Sequence, residues 1–198
     1  MLEDFGGHIN NHKSDKGNVI NIPSNEYAEL NMFLDPLAAK VVFDSGLNIT
    51  LIPLGIQRKV SRYSKILERL YLTKKTPEGK FAWRLLSRLH RLKQTHPRYQ
   101  HMDTFLGEIL GAVILAGDHF TLKTTFETRP IRVLITGIES EDGRITIDQK
   151  HGNSVKVLED VDPFAYYNVF ANRLGDKKQS AIVGSFEEQR RIWNTPPR

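Results

Sequence analysis

DPLAAKVVFDSGLNITLIPL, residues 35–54, contains a helix signal followed directly by a strand signal. Asp35 is a residue type that caps helix N-termini, and Pro36 is favoured at the first helical position. The spacing predicts a short helix over residues 37–44, ended by Gly46. The stretch 48–54 is apolar and partly β-branched, as in a buried strand. A helix followed by a buried strand is typical of an α/β layer.

Three further helices are predicted after that strand. Apolar residues recur at helical spacing from Ile56 to Tyr71 and predict one helix there. A second helix starts near Pro77 and ends before Pro97. The third starts at about Thr104 and is apolar on nearly every side, which predicts that it is buried.

After residue 120 the apolar residues alternate, as in strands with one buried face. Four short strands are predicted in FTLKTTF (120–126), IRVLITG (131–137), GRITID (143–148) and SVKVLED (154–160). A final helix begins at Asp162-Pro163, runs to about Leu174 and is closed by Gly175. The predicted fold class is α/β: a partial, Rossmann-like parallel sheet with helices, plus a small antiparallel β ribbon.

A single domain is predicted over residues 1–198. Its parts are a loop-rich start (1–27), an α/β part (28–118), the β ribbon (119–160), and a C-terminal helix and tail (161–198). The first half contains only one or two candidate parallel strands, whereas a doubly wound sheet normally has several. MLEDFGG, residues 1–7, is therefore interpreted as the tail of a strand whose predecessors are missing.

Composition excludes several classes of function. The chain has no cysteine, which rules out disulfides, thiolate metal sites and cysteine nucleophiles. No apolar run reaches the roughly 18 residues that a membrane helix needs. The start lacks the pattern of a signal peptide, so a cytoplasmic location is expected for the sequence as it stands, and an extracellular one if the true N-terminus lies upstream. The common nucleotide-binding, serine hydrolase and zinc protease motifs do not occur.

The net charge of +5 is unevenly distributed. Residues 58–98 contain thirteen Lys or Arg and two Glu, a local net charge of +11 against −6 for the remainder. A basic segment of this kind suits a polyanion such as nucleic acid. Regular alternation with apolar positions favours the other interpretation, a solvated helix face.

Several polar residues are candidates for a site, and alternatives stay open for each. Glu29 and Asn31 either cap a helix or point into a site. Asp103 is either the N-cap of the buried helix or a metal ligand, because hard cations such as calcium take carboxylate oxygens. His8 and His12 are four residues apart, but they lie in a Gly/Asn-rich stretch, so a zinc site is not the favoured interpretation.

GNVINIPSNEYAELNMFLDPLAAKVVFDSGLNITLIPL, residues 17–54, resembles the central signature of the inosine–uridine-preferring nucleoside hydrolase family. Members of that family carry a G-N-V…A-E-x-N-x-x-x-D-P-x-A-A pattern followed by a strand ending in Pro-Leu. MDTFLGEILGAVIL, residues 102–115, is similar to the family's later H-D segment. DKKQSAIVGSFEEQRRIWNTPP, residues 176–197, is similar to the tail of plant-type members. The likeness spans nearly the whole chain, in order.

This resemblance implies a ribonucleoside N-glycosidase, which hydrolyses purine and pyrimidine nucleosides to ribose and a nucleobase in nucleoside catabolism. In such enzymes a calcium ion held by aspartates binds ribose hydroxyls and activates a water. The transition state is oxocarbenium-like, as in other glycosidic cleavage. Glu29, Asn31 and Asn18 match the family's sugar contacts, and Asp103 matches its late calcium-binding aspartate. In this interpretation Asp35 does the capping.

Two departures from the family pattern bear on activity. The Asp-rich D-x-D-x-x-x-D-D motif, which holds most of the calcium, is absent, so the chain corresponds to roughly the second half of a member. The family's histidine before the late aspartate is Met102 here, and His101 is one residue off. We therefore expect an incomplete calcium cage and an impaired or inactive enzyme when the chain is alone.

Two alternative functions remain at this stage: a non-catalytic binding or assembly module that retains a ribose site, and a basic polyanion-binding fragment. The expected partners are a nucleoside substrate and either the missing half or a second copy of the chain. No membrane is expected, and nucleic acid is the less favoured partner. We also predict poor solubility, because missing strands would leave an open sheet edge and exposed apolar faces.

Overall fold

The computed structural model describes residues 2–5, 16–19, 22–100, 107–117 and 119–179, together with residues 187, 190, 191 and 194. They fall into two compact units. Unit 1 comprises Met1–Tyr63 and Asp103–Val169, and unit 2 comprises Ser64–Met102 and Phe170–Arg198. The sequence-based prediction of one domain stays a prediction, because two compact units can belong to one folding domain.

Unit 1 contains a five-stranded mixed sheet in the spatial order β1-β2-β5-β3-β4. Strands β1, β2 and β5 are mutually parallel, whereas β3 runs antiparallel to both β5 and β4. The predicted α/β class with an antiparallel ribbon is confirmed, and β5 joins the two parts into one sheet. The strands are β1 (Leu2–Phe5), β2 (Ile49–Ile52), β3 (Thr125–Val133), β4 (Ile145–Ile147) and β5 (Asn153–Asp160).

Strand β2 lies inside the sheet and is buried at all four positions, as its continuous apolar sequence predicts. Leu51 of β2 pairs with Val157 of β5, so the hydrophobic residues of both strands join one core. Helix α2 (Pro36–Asp44) adds Phe43 to it. The buried residues of this core are Met32, Phe43, Ile49, Leu51, Ile131, Val133, Ile145, Val155 and Val157.

Nine helices are seen among the described residues. They are α1 (Leu30–Leu34), α2 (Pro36–Asp44), α3 (Leu54–Lys59), α4 (Tyr63–Thr73), α5 (Pro77–Thr95), α6 (Pro97–Gln100), α7 (Gly107–Ala116), α8 (His119–Leu122) and α9 (Pro163–Gly175). A short 3₁₀ turn follows at Lys177–Gln179. None of these helices is long and apolar enough to cross a membrane, in the part of the chain that was described.

The single helix predicted from Ile56 to Tyr71 is wrong, because α3 ends before α4 begins. The amides of Val60 and Ser61 bond to carbonyls three residues back, which tightens and closes the last turn of α3. The Ser61 hydroxyl donates to the Gln57 carbonyl at 2.6 Å. Val60 lies after the end of α3 but is buried. Its apolar side chain therefore falls at a helical spacing in the sequence although it is not part of a helix.

The ribbon also differs in detail from the four predicted strands. Residues 119–122 form α8, and β3 continues through Pro130 from Thr125 to Val133. Pro130 is tolerated because pairing of β3 with β4 starts only at Ile131. The prediction that the apolar helix is buried holds on one side only, since Leu110 is buried and Leu115 of the same helix is exposed.

Unit 2 contains α5, whose predicted start and end are confirmed. The Thr76 side chain accepts a hydrogen bond from the Gly79 amide at 3.0 Å, and Pro77 occupies the first turn. The helix ends at Thr95, before Pro97. Lys74 places its ammonium 3.5 Å from the centre of the Tyr71 ring and 3.7 Å from that of Trp83, which joins the ends of α4 and α5 by cation–π contacts.

Candidate functional site

Glu29 is the N-cap of α1. One carboxylate oxygen accepts hydrogen bonds from the backbone amides of Asn31 at 3.0 Å and Met32 at 3.3 Å. The other accepts from the side-chain amide of Asn31 at 3.3 Å. Glu29 is only 5% exposed, and these donors compensate for the loss of water around its charge.

Asp35 caps the next helix, as the sequence predicts. Its carboxylate accepts from the Ala38 amide at 2.9 Å, and Pro36 stands at the first position of α2. Two acidic residues therefore cap two consecutive helices. Glu29 therefore caps α1, as one of its two interpretations predicted. Its sugar-binding role stays a prediction.

Asn18 lies against the start of α1. The backbone at residues 17–18 pairs with residues 26–28. The Gly17 amide donates to the Glu26 carbonyl at 2.7 Å, and the Asn18 amide donates to the Ala28 carbonyl at 3.2 Å. The Asn18 side-chain oxygen accepts from the Leu30 amide at 2.6 Å. A Cβ on Gly17 would lie 2.0 Å from the Ala28 oxygen, so only glycine allows this approach.

Asn18, Glu29 and Asn31 are thus brought together at the N-terminus of α1. Asn18 keeps its Nδ2 and Asn31 its Oδ1 without a hydrogen-bond partner among the described residues. One is a donor and the other an acceptor, and both belong to side chains that are not buried. The arrangement presents complementary polar atoms to a ligand that carries hydroxyl groups.

Asn25 supports this arrangement and was not singled out from the sequence. Its amide nitrogen donates to the carbonyls of Glu139 at 2.7 Å and Asp142 at 3.0 Å, and its oxygen accepts from the Ala28 amide at 3.1 Å. Asn25 therefore fixes the loop before Glu29 to the turn that connects β3 and β4. Nothing local in the sequence marks a contact that spans more than a hundred residues.

A cavity of about 210 Å³ opens elsewhere in unit 1, and none of the three predicted sugar contacts lines it. Thr50, His119, Phe126 and Lys156 are part of its wall. The Lys156 ammonium lies 4.2 Å from the centre of the Phe126 ring, and the His119 ring packs edge-on against Phe126 at 5.3 Å. Phe126 therefore contacts both basic side chains of this wall, through a cation–π contact and an edge-on ring contact.

Comparison with known proteins decides the family. The family model for inosine-uridine preferring nucleoside hydrolase matches residues 5–168. The chain belongs to this family. Two nucleoside hydrolases of Arabidopsis thaliana, numbered 3 and 4, are 58% and 60% identical over 192 residues, which is 97% of this chain.

Solved nucleoside hydrolases share the fold. An inosine-uridine preferring enzyme from Bacillus anthracis superposes with a TM-score of 0.64 at 23% identity, over 88% of this chain. The plant nucleoside hydrolase PpNRh1 gives 0.63 at 25% identity over 86%, and a purine-preferring ribonucleoside hydrolase from Gardnerella vaginalis gives 0.58 at 25% over 86%. The chain spans 50–52% of these three structures, and 22% and 35% of the two Arabidopsis proteins.

Members of this family are generally metal-dependent. The described residues do not fit a metal on their own, because they contain no group of three or more His, Asp or Glu side chains arranged around one point. Asp103, the predicted calcium ligand, lies outside the described residues, as do His8, His12, His101 and Met102. Calcium favours six to eight oxygen ligands, so Asn18, Glu29 and Asn31 alone cannot form its cage.

Proposed function

We propose that this chain supplies the sugar-binding part of a ribonucleoside N-glycosidase site. The supporting observation is the cluster of Asn18, Glu29 and Asn31 at the N-terminus of α1 in a chain of the nucleoside hydrolase family. The proposed substrates are purine and pyrimidine nucleosides. Their C1′–N bond is broken, water adds to C1′, and the base leaves with a proton.

Each residue of the cluster has a separate proposed role. The Asn18 Nδ2 group donates to a ribose hydroxyl oxygen, and the Asn31 Oδ1 atom accepts from a ribose hydroxyl. Glu29 holds the Asn31 side chain through the 3.3 Å bond. Its negative charge also stabilises the backbone amides at the start of α1. Because a vicinal diol offers two donors and four lone pairs, it matches this mixed set better than a phosphate or a carboxylate would.

The metal is proposed separately. We propose Ca²⁺ as the ion and Asp103 as one of its ligands, with the remaining carboxylates coming from outside the described residues. A second copy of the chain, or the half of the family fold that this chain does not span, is the proposed source. Activation of water and protonation of the leaving base are not assigned to any described residue.

Nucleoside binding by the full chain tests the sugar site directly. Isothermal titration with inosine and with uridine is expected to show binding that weakens about tenfold or more in Asn18→Ala and Asn31→Ala, as expected when a buried polar contact to a substrate hydroxyl is lost. Asn153→Ala is the matched control, since Asn153 bonds to Asp44 at 2.8 Å, away from α1. Equal affinity in all four proteins would overturn the proposal.

A hydrolysis assay distinguishes the enzyme from a binding module. The full chain is incubated with inosine or uridine and calcium, and release of ribose is measured. Turnover that stops on chelation of calcium supports an enzyme site that the chain completes by itself or with a second copy. Binding without turnover supports the non-catalytic module.

A second candidate function rests on one face of α5 in unit 2. Lys80, Arg84, Arg88 and Arg91 recur every three or four residues, so they line one side of the helix. None of the four forms an ion pair with a described residue. Phe81 is 67% exposed beside them, an arrangement of cations and an aromatic ring that suits single-stranded nucleic acid.

Salt-dependent binding to a single-stranded oligonucleotide tests this second function. The double variant K80E/R84E should bind more weakly, and its slope of log affinity against log salt should be shallower by about 0.7 for each cation removed. K177E/K178E is the matched control, because it changes the same charge at exposed positions of another element. Equal binding by the two double variants would exclude a specific role for α5.

A further inference from the structure

Arg58 lies on α3, a helix that is fixed to the sheet at two points. The side-chain amide of Gln57 donates to the carbonyl of Ile52, the last residue of β2, at 3.0 Å. Lys59, the next residue of α3, forms an ion pair with Asp160 at the end of β5. Arg58 therefore extends from a short helix whose position is set by two strands.

The guanidinium of Arg58 holds the segment that carries Asn18. One terminal nitrogen donates to the carbonyl of Lys16, and the other donates to the carbonyl of Gly17 at 3.0 Å. These are the two carbonyls immediately before Asn18. A planar guanidinium can reach two acceptors at once in a fixed geometry, which the single ammonium of a lysine cannot reproduce.

We propose that Arg58 is a positioning residue that sets the Asn18 side chain for contact with the ribose. This inference rests on the proposed function of Asn18. Within the described structure, residues 16–18 are held to the loop 26–28 by two backbone bonds, to Leu30 by the Asn18 oxygen, and to the sheet by Arg58 through α3. Arg58 thus provides a direct connection from the Asn18 segment through α3 to β2 and β5, besides the one that runs through the loop 26–28.

The position of Asn18 can be measured without a ligand. Amide hydrogen exchange of the Leu30 N–H reports its 2.6 Å bond to the Asn18 oxygen. We expect exchange at Leu30 to be about tenfold faster in Arg58→Gln and intermediate in Arg58→Lys, since bonds from a charged donor are stronger than neutral ones. The Val157 amide in β5 is the internal reference and should not change.

Lys59→Gln is the comparison variant, because it removes one of the two points that fix α3 to the sheet but leaves both bonds of Arg58 in place, so a smaller acceleration than in Arg58→Gln is expected. Unchanged exchange at Leu30 in both Arg58 variants would overturn the positioning role. Equal acceleration in Lys59→Gln and Arg58→Gln would also overturn it, since the effect would then come from α3 as a whole.

Nucleoside affinity separates this inference from the proposed function. In the full chain Arg58→Gln should weaken inosine binding about tenfold, and should have little further effect once Asn18→Ala is present, as expected for two residues that act through one contact. Additive losses would show that Arg58 does not act through Asn18. If wild-type protein binds no nucleoside, the proposed sugar site fails, and the Leu30 exchange result alone decides whether Arg58 orders Asn18.

Discussion

Asn25 connects the loop before α1 with the turn between β3 and β4 through two hydrogen bonds at 2.7 and 3.0 Å, and its oxygen accepts a third bond at 3.1 Å from the Ala28 amide of the same loop. It is only 2% exposed, so water cannot replace these bonds without local opening. Asn25→Ala is expected to lower the free energy of unfolding by about 2–4 kcal/mol, because each buried polar group left without a partner costs on the order of 1–3 kcal/mol. Denaturant-induced unfolding measures this loss.

Asn48→Ala is the control for that variant. Asn48 is exposed and makes no side-chain hydrogen bond with a described residue, so the free energy of unfolding should change by less than about 0.5 kcal/mol. A loss of similar size in both variants would mean that the three bonds of Asn25 have no net stabilising effect.

At the scale of single residues, local rules predicted some contacts and missed others. The Asp35 cap follows from a common N-cap residue next to proline, and it is present. Glu29 is a less usual cap, and α1 has only five residues, too short to show an apolar period. Asn25 and Arg58 act on residues far away in the chain, so neither has a local signature.

Two glycines allow a test of turn geometry at the scale of elements. Gly143, between β3 and β4, has φ +78° and Gly46, after α2, has φ +73°. A Cβ at Gly46 meets nothing within 4 Å, whereas one at Gly143 would lie 2.6 Å from the Met32 carbonyl oxygen of α1. Gly46→Ala should cost about 1–2 kcal/mol for the left-handed backbone alone.

Gly143→Ala should cost more than Gly46→Ala by about 1–3 kcal/mol, because the backbone of α1 would have to move away. Thermal or denaturant unfolding of the two variants gives the difference directly. Equal costs would contradict the close packing of the β3–β4 turn against α1.

Helix and strand boundaries were predictable where a capping residue marks them. They were missed where a residue outside a helix is buried and so continues the helical spacing of apolar residues. Val60 follows α3 in the sequence and is buried, so its apolar spacing concealed the break before α4. In the opposite case the strands predicted over 120–126 and 131–137 left Pro130 between them, although β3 passes through it on a section without a second partner strand. Both errors come from tertiary packing, which the local pattern does not contain.

Acid sensitivity is a property of the whole molecule, and Asp148 contributes to it. Backbone amides of Lys150 and His151, together with the side chain of Arg132, lower the pKa of the Asp148 carboxyl from 3.8 to about 2. A lowered pKa in the folded state stabilises the protein at higher pH, and this contribution is lost as the pH falls from about 4 to about 2.

Asp148→Asn removes this titrating group, so the stability difference between wild type and variant should shrink as the pH falls through that range. Unfolding measured at several pH values and the carboxyl shift of Asp148 followed by NMR check the two halves of the argument. A carboxyl that titrates near its ordinary pKa of 3.8 would contradict it.

Solubility is the second property of the whole chain, and the prediction of poor solubility stands untested. Leu34, Leu37 and Val41 on α1 and α2 are 71%, 63% and 63% exposed. The double variant L34E/L37E should stay in solution at higher concentration and sediment as smaller species, because it interrupts an exposed apolar surface. Asn48→Glu adds charge at a polar position as the control. A wild-type chain that is already monodisperse and monomeric would contradict the prediction.

At the scale of the molecule, the α/β class and the added ribbon were predictable from the change in hydrophobic period. The order of the strands was not, because β5 comes last in sequence and yet lies between β2 and β3. Strand order depends on which strands pair through their backbones. The alternation of apolar and polar side chains along one strand does not specify its neighbours. The same limit applies to the proposed sugar site, where the motif predicted Asn18, Glu29 and Asn31 but not the bonds that hold them.

Strand β5 faces a parallel neighbour on one side and an antiparallel neighbour on the other. Removing one residue from its middle would reverse inward and outward side chains against both neighbours at once. No compensating shift of a single adjacent strand can repair both pairings. Length changes in natural variants of this fold should therefore collect in the connections and avoid 153–160, whatever sequence those positions carry.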